Sequence, residues 1–594
     1  MRDLTTDRIV WKVAGEAGAG IKTTGQIFSR MFARGGYHVF DYVEYPSLIR
    51  GGHNVFTARV DKNPFFSPVK EVDVLVALNE ESIDLHADDM RAGGTILYDA
   101  EKTGYDLSKL AGKDVCTCDL PMARLAKETA GSTLMMNSVA LGATVGMVGF
   151  DFAILAEVLR DTYERKGEKV VERNVAAARA GYDHVRAECM ACGHELTGVE
   201  GAQPERLVID GNEAVGMGMI AAGCTLYAAY PMTPASGLLH FMAENEAEFD
   251  VVVKHTEDEI AAINMVIGAV FAGARAMCAT SGGGFSLMVE GLGLAGVSES
   301  PIVVGVFGRP GPATGMPTWT EQGDLLFVIH ASQGEFPRIV LSPGDKLECF
   351  EYATLAFNLA EIAQLPVILL SDMFLQESHS TVEQFDLSQV RIDRGKLVRD
   401  PKKIPRDGDD YLRYKITDDG ISPRVLPGMG ATMLVNSYEH DEYGWATEGA
   451  EMRAAMMDKR ARKLEAVAEL LPKPKLHGPS KADITLIGWG SQTAPLLEAM
   501  CWLEAEGRSV NFLQLTTMHP FPAARVLQVM QSAGTTVCVE NNMGGQLAEL
   551  IREHCLVEVD YRLNKYDGRQ FFPEEIAEYV REVVRVGGRR AEAI

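Results

Sequence analysis

A threonine lies between two prolines in the stretch YAAYPMTPAS, residues 227–236. Proline fixes its own φ and biases the residue before it towards extended geometry, so Met232 and Thr233 have little backbone freedom. A rigid loop that presents one hydroxyl group suits the binding of a ligand. The structural alternative is a strand exit stiffened by proline, and on this segment alone that alternative is favoured.

An arginine follows an apolar strand pattern in VGVFGRPGPATGMPTWTEQGDL. Pro310 and Pro312 stiffen the glycine-rich turn that carries this residue, Arg309. A guanidinium group on a stiff loop can bind a carboxylate with two parallel hydrogen bonds. Ligands of open α/β sheets gather at the carboxyl ends of the strands. A salt bridge to a nearby acid remains the alternative, but it does not explain the rigid loop.

Three acids, Glu257, Asp258 and Glu259, stand at the start of a helical pattern in KHTEDEIAAINMVIGAVFAGARA. Favourable placement of negative charge at a helix N-terminus would explain any of them. A carboxylate that points from such a helix into an interface can instead hydrogen-bond a nitrogen of a heteroaromatic cofactor. Thiamine diphosphate enzymes need such a group.

Glycines cluster where strand patterns give way to helical ones. In GEAGAGIKTTG, Gly15, Gly18 and Gly20 form a turn whose backbone N–H groups could hold a phosphate. Their spacing matches neither the dinucleotide fingerprint nor the P-loop, so a turn that binds nothing is an equal alternative and NAD is not expected. In GNEAVGMGMIAAG, close packing of a helix on the sheet is the favoured explanation of Gly216 and Gly218. The run TSGGGFSLM lets backbone approach a ligand or another subunit.

Ten cysteines are scattered along the chain, a distribution that suits reduced thiols. The stretch ECMACGH contains Cys189, Cys192 and His194. One Cys-x-x-Cys could be half a zinc site, but no matching second half follows it, so a metal site is disfavoured here. No run of cysteines with ferredoxin-type spacing exists. No metal ligated by this chain is therefore expected.

Strand and helix patterns alternate along three segments, which predicts an α/β protein with several doubly wound parallel-sheet domains. We expect an N-terminal domain over 1–195, a polar linker over 196–205 and a second α/β domain over 206–385. A charged, irregular connector should cover 386–480, with a long polar helix in EGAEMRAAMMDKRARKLEAVAELL. A third α/β domain should cover 481–594.

The bulk properties narrow the class of partner. A chain of 594 residues with a net charge of −25 does not favour nucleic acid or an anionic membrane surface as partner. No apolar run approaches the roughly 20 residues that cross a bilayer, and the N-terminal stretch lacks the apolar core of a signal peptide. The cytoplasm is therefore the expected location.

Several separated motifs resemble one family. YPMTPAS, DEIAAINMVIGAVFAGARAMCATSGGGFSLM, GRPGPATGMPT and SYEHDEYG together resemble the α subunit of 2-oxoacid:ferredoxin oxidoreductases. GEAGAGIKTTGQIF, RGGH (Arg50 to His53) and MNSVALGA resemble the γ domain of that family, although the glycine loop departs from the usual G-x-G-G-Q-G. The order γ then α is similar to that in the long α subunit of 2-oxoglutarate:ferredoxin oxidoreductase.

The resemblance implies a role for each candidate residue. Thr233 would face the 2-oxo acid, Glu259 would contact the aminopyrimidine of thiamine diphosphate, and Arg309 would lie near the substrate carboxylate. Residues 1–195 would be a Rossmann-like γ domain and possible coenzyme A element, 206–385 a pyrimidine-type thiamine domain, and 481–594 a transketolase C-terminal-like domain. Further residues implied in binding are Tyr230 and Pro231 for the cofactor, Thr314 for the substrate, and Gly15, Gly18 and Gly20 for a phosphate-bearing ligand.

The resemblance also implies partners. Thiamine diphosphate is normally anchored through Mg²⁺ by a Gly-Asp-Gly motif, and neither RDGDDY in the connector nor ENN at Glu540 to Asn542 has the context of that motif. The diphosphate and Mg²⁺ site and a 4Fe-4S cluster should therefore belong to a β subunit, in an α2β2 heterotetramer that reduces ferredoxin and acylates coenzyme A.

By this resemblance the reaction would be reversible oxidative decarboxylation of 2-oxoglutarate to succinyl-CoA, and the chain alone would be inactive and colourless. The same enzyme class acting on pyruvate or a branched-chain 2-oxo acid is one alternative. A non-catalytic coenzyme A- or nucleotide-binding protein is another.

Overall fold

The computed structural model describes residues 5–48, 51–201, 203–407 and 410–586. The chain forms two compact units. Unit 1 comprises Met1–Ile209, Ser378–Gln384 and Phe572–Glu574, and unit 2 comprises Asp210–Glu377, Phe385–Phe571 and Glu575–Ile594.

Unit 1 alternates strands and helices, numbered here in chain order. Its strands are β1 Thr5–Thr6, β2 Arg8–Glu16, β3 His38–Glu44, β4 His53–Asp61, β5 Val72–Ala77, β6 Met90–Tyr98, β7 Val115–Asp119, β8 Glu195–Leu196, β9 Arg206–Ile209 and, from much later in the chain, β16 His379–Glu383. Its helices are α1 Ile21–Arg34, α2 Glu80–His86, α3 Ala100–Thr103, α4 Met122–Ala130, α5 Met136–Met147, α6 Phe152–Tyr163 and α7 Glu168–Glu188.

The main sheet of unit 1 is 8-stranded, in the order β7-β6-β5-β2-β4-β3-β16-β9. The strands from β7 to β2 run parallel, as the sequence predicts. From β2 onwards each neighbour is antiparallel, which corrects the expectation of a wholly parallel sheet in this segment. The reason is β4, which pairs in antiparallel fashion with both β2 and β3.

Unit 2 holds the remaining elements. Its strands are β10 Leu226–Ala229, β11 Val252–His255, β12 Ala276–Thr280, β13 Val303–Gly308, β14 Ile339–Leu341, β15 Val367–Asp372, β17 Arg406–Asp407, β18 Asp410–Tyr411, β19 Lys475–His477, β20 Ile484–Trp489, β21 Val510–Leu515, β22 Thr517–His519, β23 Thr535–Glu540 and β24 Tyr561–Asn564. Its helices are α8 Gly211–Ala221, α9 Ser236–Asn245, α10 Glu259–Ala272, α11 Gly282–Val297, α12 Leu325–His330, α13 Lys346–Ala363, α14 Met373–Glu377, α15 Ala450–Val467, α16 Thr493–Ala505, α17 Ala523–Ser532, α18 Gln546–Cys555 and most of α19 Pro573–Val586.

Unit 2 contains a 7-stranded sheet in the order β11-β10-β12-β13-β15-β14-β22 and a 5-stranded sheet in the order β19-β21-β20-β23-β24. All the pairings of the first sheet are parallel except that of β22, and all those of the second are parallel except that of β19. The α/β class with parallel-sheet domains is thus confirmed. Because β22 follows β21 directly and pairs with β14, the C-terminal part of the chain extends the first sheet.

The charged segment after β16 belongs to unit 2 and is held there by ion pairs. Helix α15, predicted as a polar helix, buries the ammonium groups of Lys459 and Lys463 against Glu299 at 2.6 and 2.5 Å. Burial alone would raise the pKa of Glu299, but the two lysines hold it below its usual value. Although its sequence is polar, α15 is therefore a packed helix, because the buried Glu299 pairs with its lysines.

Two glycines of α8 do permit close packing, although their partners are helices rather than the sheet. A Cβ at Gly216 would overlap the ring of Phe241 on α9. A Cβ at Gly218 would lie 2.8 Å from the Cβ of Ala353 on α13. The sequence indicates that α8 needs small residues at these positions, but it does not show which element packs against them.

Four cysteines are paired, which corrects the expectation of free thiols throughout. Cys116 bonds to Cys192 and Cys118 bonds to Cys189. The pairs form because β7 lies beside the end of α7, a contact between segments far apart in sequence. The described residues include no helix with the length and apolar character needed to cross a membrane.

Candidate active site

Four parallel strands of the 7-stranded sheet lead to polar residues at one edge. Strand β10 leads to the Tyr-Pro-Met-Thr-Pro loop, β11 to Glu259, β12 to Thr280 and Ser281, and β13 to Arg309. Since neighbouring parallel strands end on the same side, residues spread over some eighty positions of sequence meet there. The candidate site is therefore built at the carboxyl edge of this sheet.

Arg309 and the loop around Thr233 are joined directly. The Nη1 of Arg309 donates a hydrogen bond to the carbonyl oxygen of Thr233 at 2.9 Å. Thr233 precedes Pro234 across a cis peptide bond. The side chain of Arg309 is partly buried, and no further hydrogen bond of its guanidinium is seen within the described part of the chain. Two residues singled out separately in the sequence thus form one unit, with donor capacity left over.

The hydroxyl of Thr233 makes no hydrogen bond to any residue that the structure describes, and its side chain is half-buried. Its neighbour Met232 is held by a hydrogen bond in which Ser281 Oγ donates to Met232 Sδ at 2.8 Å. Tyr230 and Pro231, predicted for the cofactor, are exposed on the same loop. Hydrogen bonds to the Sδ of Met232 and to the carbonyl of Thr233 thus hold the loop in place, while the hydroxyl of Thr233 remains available.

Thr314, predicted for the substrate, lies on the exposed turn after Arg309. That turn closes on itself, since the N–H of Met316 donates to the carbonyl of Pro310 at 3.0 Å. A Cβ at Gly315 would overlap the same carbonyl. The turn therefore keeps a compact shape, and Thr314 stands at its surface.

Glu259 is the first residue of α10 and is only 2% exposed. The capping role belongs to Asp258, whose carboxylate accepts from the N–H of Ala261 at 2.8 Å. Glu259 instead accepts a hydrogen bond of 3.3 Å from the hydroxyl of Thr280. A Cβ at Gly284 would overlap both the Glu259 carboxylate and that hydroxyl. The glycine run after β12 is thus what allows a buried carboxylate at this position.

Two acids that the sequence did not single out follow the arginine loop, and Asp324 lies close enough to Arg309 for their charges to interact. Burial raises the pKa of Asp324 to about 6, against the attraction of Arg309. Burial, with a further contribution from Asp324, raises the pKa of Glu321 to about 7. Burial also lowers the pKa of Arg309, while Asp324 and Glu259 act in the opposite direction. The only sequence signal was their place in the segment TEQGDL that continues the arginine loop.

The segment after the arginine loop is anchored to the C-terminal part of unit 2. The side chain of Gln322 donates to the carbonyl of Trp489 at 3.0 Å and accepts from the N–H of Asn541 at 3.0 Å. In the same ENN stretch, the buried carboxylate of Glu540 accepts from the N–H of Leu547 at 2.8 Å. These residues hold the site together. Gly408 and Asp409 of RDGDDY lie outside the described residues.

The glycine loop of unit 1 lies between β2 and α1. Gly18 and Gly20 have φ values of 86° and 77°, which L side chains rarely adopt. Asn137, from the MNSVALGA motif, donates to the carbonyl of Ala19 at 2.7 Å. Gly15 lies within β2, and a Cβ there would lie 2.9 Å from Leu78. Its small size therefore serves packing of the sheet, and Gly18 and Gly20 shape the loop.

The RGGH motif ends in a hydrogen-bonded chain of side chains, while Arg50 lies outside the described residues. Nε2 of His53 and Nε2 of His86 share a hydrogen bond of 2.9 Å, and His86 Nδ1 is 2.8 Å from Asp89. Burial alone would raise the pKa of Asp89, but His86 and Lys12 lower it to about 2. The motif thus belongs to a polar cluster formed by β2, β4 and the end of α2.

Family models match three consecutive parts of the chain. Residues 10–184 match pyruvate ferredoxin/flavodoxin oxidoreductase, and residues 217–459 match the thiamine diphosphate-binding model of pyruvate flavodoxin/ferredoxin oxidoreductase. Residues 475–584 match the transketolase C-terminal domain. The chain is 35% identical to the α subunit of 2-oxoacid:ferredoxin oxidoreductase 2 of Aeropyrum pernix, over 97% of its own length and 98% of that protein's. The chain belongs to this family. It is an α subunit of a thiamine diphosphate-dependent 2-oxoacid:ferredoxin oxidoreductase.

Other similar proteins differ in how far their names specify the substrate. The α subunit is 28% identical to 2-oxoglutarate oxidoreductase subunit KorA of Mycobacterium tuberculosis, over 99% of this chain and 93% of that one. Among solved structures, it resembles the 2-oxoglutarate:ferredoxin oxidoreductase of Magnetococcus marinus, with 2-oxoglutarate, coenzyme A and succinyl-CoA bound. The TM-score is 0.91 with 32% identity, covering 97% of this chain and 99% of that chain.

The residues of the α subunit fit the pyrimidine side of thiamine diphosphate. Glu259 is a buried carboxylate, and its position depends on the missing side chain at Gly284. A carboxylate held in this way can hydrogen-bond a ring nitrogen without competition from solvent. As an α subunit, the chain works with at least one other subunit and with ferredoxin.

Proposed function

We propose that this α subunit, together with a β subunit, catalyses the reversible oxidative decarboxylation of 2-oxoglutarate. In this reaction 2-oxoglutarate, coenzyme A and two oxidised ferredoxins give succinyl-CoA, CO2, two reduced ferredoxins and the thiol proton. The 1-carboxylate leaves as CO2, and its bonding electron pair passes to the two ferredoxins one electron at a time. The observation that carries the proposal is the guanidinium of Arg309, hydrogen-bonded to the Thr233 loop at the carboxyl edge of the sheet.

The choice of 2-oxoglutarate rests on similarity. The Magnetococcus marinus enzyme named above binds 2-oxoglutarate and is alike over nearly the whole chain. KorA proteins, named for 2-oxoglutarate, are also similar.

Each candidate residue then has a role in this chain. Arg309 holds the 1-carboxylate of the oxo acid through its free N–H groups, and the hydroxyl of Thr233 donates to the 2-oxo group. Glu259 hydrogen-bonds the pyrimidine ring, with Tyr230 and Pro231 at the same face of the cofactor. Thiamine diphosphate, when bound, supplies the carbon nucleophile for decarboxylation. Exposed Thr314 contacts the outer end of the substrate.

The rest of the machinery belongs to a β subunit, which carries the diphosphate and Mg²⁺ site and a 4Fe-4S cluster, in a cytoplasmic α2β2 assembly. Within the α subunit, residues 1–195 form the γ domain that receives coenzyme A, and 196–205 lead to the pyrimidine-type domain at 206–385. The two end strands of that range, β9 and β16, pair in the sheet of unit 1. Residues 386–480 connect that domain to the transketolase C-terminal-like domain at 481–594.

A second candidate is the same reaction with other 2-oxo acids, such as pyruvate or a branched-chain acid. The Aeropyrum pernix and Sulfolobus relatives, which are at least 33% identical, are named for 2-oxoacids in general. The difference between the two candidates is the affinity for a second carboxylate.

The test is ferredoxin reduction by the purified αβ complex with a panel of oxo acids. We expect kcat/KM for 2-oxoglutarate to exceed that for pyruvate and for 2-oxoisovalerate at least tenfold, and the α subunit alone to be inactive. Equal values across the panel would favour the broader enzyme. Coenzyme A binding without any turnover in the complex would favour a non-catalytic protein.

A further inference from the structure

Four cysteines meet at one end of the main sheet in unit 1. Cys116 and Cys118 lie on β7, the first strand of the sheet order, and Cys189 and Cys192 lie at the end of α7. The Cα atoms of Cys116 and Cys192 are 5.6 Å apart, and those of Cys118 and Cys189 are 5.8 Å apart. Because alternate residues of a strand point to the same face, each strand cysteine faces one cysteine of the turn.

The second pair of cysteines lies in a tight Cys-x-x-Cys-Gly turn. The N–H of Cys192 donates to the carbonyl of Cys189 at 2.9 Å, and the N–H of Gly193 donates to the carbonyl of Met190 at 3.2 Å. The hydroxyl of Thr95, on the neighbouring strand β6, donates to the carbonyl of Cys192 at 2.7 Å. The turn is thus oriented by the sheet itself, with both of its thiols towards β7.

This arrangement supplies the half-site that the sequence did not reveal. A single Cys-x-x-Cys is an incomplete metal motif, and no second close pair of cysteines follows Cys192 in the sequence. The partner lies upstream instead, as the Cys-x-Cys of β7, more than seventy residues earlier in the chain. A strand and a turn that each contribute two thiols to one point is the composition of a closed structural zinc site.

The spacing of the four residues is compatible with one tetrahedral ion. Cys116 and Cys118 have Cα atoms about 6.6 Å apart in strand geometry. With the 5.6 and 5.8 Å separations across the pairs, the four Cα atoms outline a small four-sided frame. Four Zn–S bonds of about 2.3 Å place sulfurs about 3.8 Å apart, a separation that side-chain rotation can reach from such a frame.

We propose that Cys116, Cys118, Cys189 and Cys192 hold a structural Zn²⁺ in the reduced α subunit, and that the two disulfides are the oxidised form of the same site. Reduction of each disulfide takes two electrons and two protons. With a phosphine as reductant, the phosphine becomes its oxide and water supplies the oxygen and the protons. Zn²⁺ then displaces the four thiol protons. In both forms the cluster ties the end of α7 to β7.

The other cysteines of the described chain provide a contrast. Cys224, Cys278, Cys349, Cys538 and Cys555 are free and buried, and Cys501 is free and exposed. Cys501 is therefore a suitable control, because its replacement removes a thiol without touching the cluster.

The experiment uses the αβ complex, reduced with tris(2-carboxyethyl)phosphine, incubated with ZnSO4 and desalted. Metal content is measured by inductively coupled plasma mass spectrometry for wild type and for Cys118→Ser, Cys189→Ser and Cys501→Ser in the α subunit. We expect wild type and Cys501→Ser to hold one more zinc ion per α chain than Cys118→Ser or Cys189→Ser. Equal zinc in all four proteins would overturn the proposal. A loss of iron instead of zinc in the cluster variants would assign the cysteines to an iron–sulfur centre and overturn it too.

Because a cluster variant could fail to fold, a second measurement uses wild type alone. CoCl2 replaces ZnSO4, and the difference absorption spectrum is recorded before and after addition. Four thiolates around Co²⁺ should give the intense visible bands of a tetrahedral site, and one equivalent of Zn²⁺ should abolish them. Absence of these bands in fully reduced protein would show that the cluster does not bind metal and that the cysteines serve as disulfides only.

Discussion

Arg309 has one hydrogen bond to the protein backbone and further N–H groups without a protein partner among the described residues, so its replacement should affect the substrate more than the fold. We expect Arg309→Ala to lower kcat/KM for the oxo acid. The corresponding loss of transition-state stabilisation should be about 2–4 kcal/mol, the range for loss of a desolvated charged contact. Arg309→Lys should recover only part, since an ammonium group cannot reproduce the planar fork. Steady-state kinetics of the αβ complex measures both.

Arg525→Ala is the control, because Arg525 bonds to Gln528 on an exposed part of α17. The KM for coenzyme A should stay near wild type in all three variants. If Arg309→Ala leaves kcat and KM for the oxo acid unchanged, Arg309 only braces the carbonyl of Thr233, and the carboxylate must be bound elsewhere.

Glu259 and Glu257 form a matched pair two residues apart. Glu259 is buried beside Thr280, whereas Glu257 is exposed. We expect Glu259→Gln to lower kcat at least 100-fold, the lower end of the range for a positioned acid–base group. Glu257→Gln should be close to wild type. Circular dichroism should show both folded. Equal activity of the two variants would mean that both acids merely complement the helix dipole.

The pH dependence of substrate binding should follow Asp324, which interacts with Arg309, and Glu321, which interacts with Asp324. Asp324 and Glu321, with pKa values raised to about 6 and about 7, are neutral below those values and negative above them. A negative Asp324 competes with the substrate carboxylate for Arg309, so the KM for the oxo acid should rise as pH increases through this window. A change in KM of roughly fivefold is expected, which corresponds to about 1 kcal/mol, the interaction of two unit charges about 4 Å apart in a water-like dielectric.

Asp324→Asn should remove the rise near pH 6 and move the remaining rise below pH 7, because the charge of Asp324 contributes to the raised pKa of Glu321. Glu321→Gln should remove the upper rise and leave the one near pH 6. KM is measured from pH 5.5 to 8 for each protein. A wild-type KM for the oxo acid that is flat over this range would show that neither acid acts on the substrate.

At this scale the sequence revealed some residues and not others. Thr233 and Arg309 could be singled out because prolines beside them constrain the local backbone. Asp324 and Glu321 could not, because their raised pKa values come from burial by segments remote in sequence. Glu259 stood among three acids, and only the fold distinguishes the capping Asp258 from the buried Glu259.

At the scale of the element, two adjacent glycines at the start of α11 have different surroundings. A Cβ at Gly284 would overlap Glu259 and Thr280, whereas a Cβ at Gly283 meets its nearest neighbour, the carbonyl of Ala313, at 3.6 Å. We expect Gly284→Ala to displace the carboxylate and to lower kcat at least tenfold. Gly283→Ala should retain most activity, because 3.6 Å is an ordinary contact. Kinetics and the thermal midpoint of the αβ complex measure the two effects.

The interpretation depends on both kcat and the thermal midpoint. A lower kcat with an unchanged thermal midpoint for Gly284→Ala supports a requirement for space beside Glu259. Full activity of Gly284→Ala, or equal losses in both variants, would contradict it.

The elements themselves were largely predictable, but their pairing was not. β2, β5 and α1 follow from apolar periodicity. Phe56, Ala58 and Val60 of β4 alternate with polar residues as in a half-buried strand. Nothing local could show that β4 runs antiparallel to β2, because strand direction depends on contacts between distant segments.

At the scale of the whole chain, domains assigned as continuous stretches of sequence do not match the units of the fold. Strand β9 was expected to open the second domain, yet it pairs with β16, and both belong to the sheet of unit 1. Deletion of residues 1–195 would therefore leave β9 and β16 without their sheet. A substitution inside the intact chain is the better probe of what unit 1 binds.

The proposed role of unit 1 in receiving coenzyme A can be probed at Gly18. A Cβ at Gly18 would have nothing within 4 Å, and its φ of 86° is one that asparagine and aspartate tolerate better than other residues. Gly18→Asp and Gly18→Asn differ only in charge. If the loop accepts a phosphate of coenzyme A, the carboxylate should repel it, and KM for coenzyme A should be about tenfold higher in the Asp variant than in the Asn variant. The KM for the oxo acid should not change in either.

Gly112 supplies the matched control for this pair. It lies on an exposed loop of unit 1, has a φ of 89°, and a Cβ there would also have nothing within 4 Å. Gly112→Asp adds the same charge to the same unit, so its KM for coenzyme A should equal that of wild type. Raised ionic strength should narrow the gap between Gly18→Asp and Gly18→Asn, because the effect is electrostatic. Equal KM values for these two variants at low ionic strength would show that the loop carries no phosphate, and coenzyme A would then be bound by other residues.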